Sequence, residues 1–174
     1  LVQKVYRKVN PTLSHIEKNK TLYRKTRSFM EDLYLNRLNL PPQFLKGREL
    51  LEFGSGTGEY SLSYVQWGLK CTFVEKNPFA AKRSKYLFNK FSKSRKFKIH
   101  NCSLFDFKST KKFDFVTSTG VIHHTNQKKL AFIKKCSHLK PGGFVMLGIG
   151  TASGMFQRNL QRTVIHHFAK KDEN

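Results

Sequence analysis

The chain has 174 residues, enough to bury the core of one domain. Its 33 Lys and Arg against 11 Asp and Glu give a formal net charge of +22, a field that attracts RNA, ribosomes or anionic membrane. The same excess of Lys, Asn, Ile and Phe is what an AT-rich genome yields, so composition alone leaves both origins open. No run approaches the roughly eighteen apolar residues needed to cross a bilayer, so no transmembrane segment is expected.

The first thirty residues are polar and basic and carry no signal-peptide pattern. The chain starts at Leu1 rather than Met, so a fragment or a trimmed chain is among the expectations. Cys71, Cys102 and Cys136 are scattered and odd in number. They fit neither a disulfide framework nor a zinc spacing, and a reducing cytoplasm is the expected compartment.

Residues 1–48 form a basic lead-in, in which Leu13, Ile16, Leu22, Phe29, Leu33 and Leu38 recur at loosely helical spacing. Pro41-Pro42 ends any helix there. The segment reads as an N-terminal helical cap, either solvated or lying over a site, with the solvated cap favoured. From residue 49 to 174 the chain reads as a single core. A strand over Glu49–Phe53 leads to a helix near Tyr60–Trp67, stopped by Gly68. A strand follows over Lys70–Glu75. Asn77 as N-cap and Pro78 at the first position start a helix that runs to about Lys90. Further strands are expected over Phe97–Asn101, Phe113–Ser118 and Phe144–Ile149. Between the last two, a helix from about Asn126 to Leu139 would bury Leu130, Ile133, Cys136 and Leu139 on one face, and Pro141-Gly142-Gly143 would end it. A last helix spans about Met155–Phe168. Strands separated by helices imply an α/β, Rossmann-like, doubly wound and mainly parallel sheet with helices on both faces.

The most informative stretch is Glu52-Phe53-Gly54-Ser55-Gly56-Thr57-Gly58-Glu59. Glycines at alternate positions after a buried strand suggest a ligand lying on the backbone. The dinucleotide fingerprint needs a third glycine where Glu59 stands, and a P-loop needs a Gly-Lys-Ser/Thr that is missing. What remains, an acid followed by Gly-x-Gly-x-Gly, resembles motif I of the class I S-adenosylmethionine-dependent methyltransferases. The second strand also ends in a carboxylate, Glu75, at the distance of roughly 20 residues usual for an acid that receives ribose hydroxyls. The resemblance covers about Gly47 to Gly150. It includes the fourth-strand region from Phe113 to His124 and the turn Leu139-Lys140-Pro141-Gly142-Gly143.

The resemblance implies S-adenosylmethionine as cofactor and no metal. Its amino-acid end and ribose would lie on Gly54, Ser55, Gly56, Thr57 and Gly58, with Glu52 helping to hold the ammonium and Glu75 with Lys76 beside the ribose. Thr117 on the fourth strand belongs to the same expected site. Many family members place an acid after the third strand, against the adenine amino group, where this chain has Cys102. The adenine would instead meet backbone groups at Ser103 and Leu104, or Asp106, although Asp106 reads more naturally as the cap of the following turn. The family usually closes its sheet with a further strand hairpin that is not visible here. Either the chain is truncated or that edge is covered differently, and an uncovered edge would invite self-association.

Methyl transfer from a sulfonium asks the protein for alignment and exclusion of water. A hydroxyl or ammonium acceptor also needs a general base. His123 and His124 follow the fourth strand, at the sheet edge where such folds bind ligands, and are the candidates, unless they merely pack the loop. The Asn/Asp-Pro-Pro-Tyr/Phe of base and amide N-methyltransferases is missing, with Thr117-Ser118-Thr119-Gly120 in its place. Neither Cys102 nor Cys136 is placed for covalent attack on a pyrimidine. The adjacent His166 and His167 point apart on a helix and read as solvated. The expected activity is methyl transfer to O, N or C of a small-molecule acceptor. An RNA or protein methyltransferase using the basic surface, with RNA or ribosome as partner, is the alternative, as is a non-catalytic binding subunit. The acceptor and the oligomeric state are left open.

Overall fold

The computed structural model describes residues 15–150, 154 and 156–169. Leu13, Met155 and the side chain of His166 lie outside them. Five strands form one sheet: β1 (Glu49–Phe53), β2 (Lys70–Val74), β3 (Phe97–His100), β4 (Phe113–Thr119) and β5 (Leu139–Gly148). The order is β3-β2-β1-β4-β5, and every neighbouring pair is parallel. The reversal of strand order beside β1 opens a crevice at the carboxyl ends of the strands, where open α/β sheets bind ligands.

Helices cover both faces, as a parallel sheet requires. The described helices are α1 (Lys20–Asp32, continued by a π-helical turn over Leu33–Arg37), α2 (Pro42–Leu45), α3 (Ser61–Gln66), α4 (Pro78–Phe91), α5 (Lys128–Cys136) and α6 (Phe156–Ala169), with a 3₁₀ turn over Ile122–His124. On one face α1, α3 and α4 pack Met30, Tyr34, Leu62, Val65, Leu87 and Phe88 against Leu50 and Phe73 of the sheet. On the other, Leu104, Phe107 and Ala131 cover Leu51, Phe53, Val74 and Val116. The segment from residue 15 to 48 therefore does more than cap the core, because Ile16, Met30, Tyr34 and Leu45 are each at most 3% exposed within it. Asn19 caps α1 by accepting from Leu22 N–H at 3.0 Å, and Asn77 caps α4 by accepting from Phe79 N–H at 3.0 Å.

Two elements differ from the reading of the sequence. In α5 the apolar face expected to be buried points outward: Leu130 is 49% exposed and Ile133 52%. The buried side chains are Ala131 and Lys135, and Leu139 already belongs to β5. Small Ala131 lets the helix approach the sheet closely. Lys135 reaches inward, where its Nζ donates to Ser118 Oγ at 2.6 Å, and Ser118 Oγ donates to the carbonyl of Phe53 at 3.1 Å. Burial pulls the Lys135 ammonium down to about 8.

The fifth strand also begins earlier than Phe144. Leu139 pairs with Phe113 and Phe144 with Phe115, so residues 140–143 are accommodated as a bulge. There Pro141-Gly142-Gly143 bends the strand without ending it, and Lys140 Nζ meets Asp114 Oδ1 at 2.9 Å. Among the described residues no helix is long and apolar enough to cross a membrane.

Candidate functional site

A cavity of about 1300 Å³ opens over the carboxyl ends of β1, β2 and β4. Its floor is the loop after β1. Gly54 N–H donates to the carbonyl of Val74 at 2.7 Å, which seats the loop on β2. Glu75 then pins the loop from the far side: its Oε2 accepts from Gly56 N–H and its Oε1 from Asn77 N–H, both at 2.8 Å. A carboxylate offers about four acceptor positions, so these bonds leave it able to accept two more. Gly56 faces open space, with no atom within 4 Å of where a Cβ would stand. Beside it, the buried Ser55 Oγ has no partner in the protein.

Glu52 lies at the base of the cavity, 7% exposed, and its Oε2 accepts from Ser61 Oγ at 2.6 Å. Burial pushes its carboxyl up to about 7; the Ser61 hydroxyl opposes that shift and the charge of Glu75 adds to it. A buried acid in this state invites a cation, which would restore its charge.

At the adenine end expected from the sequence, Cys102, Ser103 and Leu104 line the cavity, and Lys76 lies on its rim. The turn there is capped by Ser103, whose Oγ accepts from Phe105 N–H at 3.1 Å and whose carbonyl accepts from Asp106 N–H at 3.1 Å. Asp106 itself is exposed and does not line the cavity, so it is not brought to the adenine end. Asn101 Nδ2 donates to the carbonyls of Glu75 at 2.8 Å and Lys76 at 3.1 Å, which ties this turn to the end of β2.

Three further expected residues do not line the cavity. Gly58 packs against Ser84 of α4, Thr117 is 2% exposed inside the sheet opposite Glu52, and His123 is turned into the loop with its Nδ1 buried and unpartnered. His124, by contrast, lines the mouth, with its ring centroid 4.1 Å from that of His123. Burial lowers its pKa, and the neighbouring His123 lowers it further.

One part of the site was not anticipated. Glu59 lines the cavity and accepts from Thr57 Oγ1. Arg83 of α4 lies 3.4 Å from Glu59 Oε1 and grips both oxygens of Glu17, at 3.1 and 2.9 Å. That grip holds the Glu17 carboxyl down to about 2. The segment before α1 is thereby fastened to the glycine loop. Phe29, Met30 and Leu33 form an apolar roof over the cavity, and the Phe29 ring lies 5.5 Å from that of Tyr60.

A methyltransferase domain family matches residues 23–168, and the chain belongs to that family. Its fold is that of the class I S-adenosylmethionine-dependent methyltransferases. It is similar to the N-methyltransferase NodS from Bradyrhizobium japonicum, solved with S-adenosyl-L-homocysteine, at 16% identity and a TM-score of 0.62 over 84% of this chain and 70% of that one. A methyltransferase from Geobacter sulfurreducens, solved with the same ligand, is 14% identical, with a TM-score of 0.56 over 71% and 47%. Coclaurine N-methyltransferase, bound to N-methylheliamine and S-adenosylhomocysteine, is 16% identical, with a TM-score of 0.60 over 70% and 35%. At these identities the likeness establishes the fold alone. The chain spans between 35% and 47% of three such solved relatives. No curated protein matches its sequence.

Proposed function

We propose that the cavity binds S-adenosylmethionine and that the chain directs methyl transfer to a small, largely apolar acceptor. The observation that carries this reading is the cradle formed by Glu52, the loop through Ser55 and Gly56, and Glu75. It offers a cation-seeking acid, an unpartnered hydroxyl, open backbone and a carboxylate with unused acceptor positions. Glu52 would hold the cofactor's ammonium, Glu75 its ribose hydroxyls, and the turn at Cys102–Leu104 its adenine. When bound, the cofactor supplies a methyl group already activated on a sulfonium. The chain's own part is to align the acceptor, exclude water beneath Phe29, Met30 and Leu33, and hold a proton acceptor at His124. The apolar roof favours an acceptor with an apolar or aromatic body.

Titration calorimetry with S-adenosylhomocysteine tests the cradle. One site is expected, and Glu75→Ala should weaken it by about 10- to 100-fold, the worth of hydrogen bonds to a charged group. If the unmutated chain binds neither cofactor nor product, the reading is overturned.

The state of Glu52 adds a pH signature. Near pH 7 its carboxyl is about half protonated in the free protein, and only the ionised form pairs with an ammonium. Affinity should therefore rise with pH, by up to about tenfold per unit below 7, and level off above. Glu52→Gln should flatten the profile. A profile already flat in the unmutated chain would remove Glu52 from the ammonium.

A further inference from the structure

Between Glu75 and Asp106 the chain has no acidic residue. This stretch builds α4, the turn after it and the edge strand β3, and the basic side chains of α4 and the turn are exposed. On α4, Phe79, Lys82, Tyr86 and Lys90 fall at three- and four-residue spacing and are all exposed, with Lys85 exposed beside them. Phe79 is 63% exposed and Tyr86 48%. The apolar face of the same helix is spent on the core, through Ala80, Leu87 and Phe88. Lys93, Arg95 and Lys96 extend the basic strip through the turn. On β3, Phe97 and Ile99 pack toward α4, so the exposed Lys98 and His100 lie on the other face of the sheet and are not part of this strip. Lys90 Nζ lies 3.0 Å from the Tyr86 hydroxyl and 5.5 Å from the ring centroid, so charge and aromatic face are presented together.

We propose that the outer face of α4 and the turn after it form a binding surface for single-stranded RNA, separate from the cavity and independent of what the cavity methylates. Single-stranded nucleic acid is bound by a cationic track for the backbone together with exposed rings on which bases stack. Phe79 and Tyr86 stand about 10 Å apart along the helix, with Lys82 and Lys85 between them. A lipid surface fits less well, because an interfacial helix needs a free apolar face and that of α4 is buried in the core.

The test is fluorescence anisotropy of the full chain with a labelled oligouridine of about 20 nucleotides, between about 50 and 200 mM salt. Affinity should fall steeply with salt. The triple variant Lys82→Gln, Lys85→Gln, Lys90→Gln should flatten the log-log salt slope by about 2. Tyr86→Ala should weaken binding by about tenfold. The matching triple Lys108→Gln, Lys128→Gln, Lys129→Gln, on the opposite face, should bind nearly as the unmutated chain does. Melting temperatures confirm that each variant is folded. The proposal is overturned if both triples lose binding equally, since the charge is then diffuse. It is also overturned if Tyr86→Ala changes nothing. Retention of RNA by the α4 triple, with loss only of phosphatidylserine vesicles, would overturn it in favour of a membrane.

Discussion

Gly58→Ala is expected to lower the melting temperature by about 10 °C or more, since it combines backbone strain with overpacking. Gly58 has a φ of 88°, and a Cβ there would stand 2.6 Å from Ser84 Cβ and 2.9 Å from Ser84 Cα. The second contact is with backbone, so no side-chain rotation relieves it, and α4 would have to move off the glycine loop. The left-handed conformation costs roughly 1–2 kcal/mol for a residue with a Cβ, and such overpacking typically adds 1–3 kcal/mol. Together these take a large share of an ordinary domain's stability of about 5–15 kcal/mol. Gly56→Ala supplies the contrast. Its φ of 56° is strained as well, but nothing lies within 4 Å of the new methyl, which would project beside the cavity. It should cost much less stability and act chiefly on cofactor affinity. Thermal melts of the two variants check the difference. If Gly58→Ala melts like the unmutated chain, the close seating of α4 on the loop is wrong.

The parts of this molecule that can be read from its sequence are those whose causes are local. The acid and glycines from Glu52 to Gly58 mark a strand running into a turn, because only glycine takes such backbone at no steric cost. Asn77-Pro78 marks the start of α4 because cap and fixed φ act within a few residues. What escapes has its cause elsewhere in the chain. Lys135 is buried because Ser118, seventeen residues away on β4, receives its ammonium; the helical pattern alone favours Leu130 and Ile133. Pro141-Gly142-Gly143 looks like a stop, and only pairing with β4 turns it into a bulge. Glu59 served to exclude a dinucleotide site. Its place in the network with Arg83 and Glu17 depends on a contact between residues 66 positions apart. The histidine pair is the sharpest case, since two adjacent identical residues carry no local sign of which one faces a ligand.

That pair gives the largest kinetic effect expected. His124→Ala should lower turnover by about 10²–10⁴-fold, the usual contribution of a positioned general base, while affinity for S-adenosylhomocysteine stays unchanged. The asymmetry comes from the 3₁₀ turn over Ile122–His124, which directs His124 to the cavity mouth and His123 into the loop. Burial and the neighbouring ring hold the pKa of His124 below its usual 6.5, so the imidazole is neutral and able to accept a proton at pH 7. The rate should therefore be level at neutral pH and fall as the pH drops through that lowered pKa, where the ring becomes cationic. That acidic limb should vanish from the residual activity of His124→Ala. His123→Ala should keep both the rate and the limb, because His123 does not line the cavity and its Nδ1 is buried. An acceptor that must lose a proton is the proper substrate for this comparison, found by screening small apolar amines and phenols for uptake of labelled methyl. If His124→Ala turns over at the unmutated rate on such an acceptor, the proton leaves by another route and the histidine pair serves only to shape the loop.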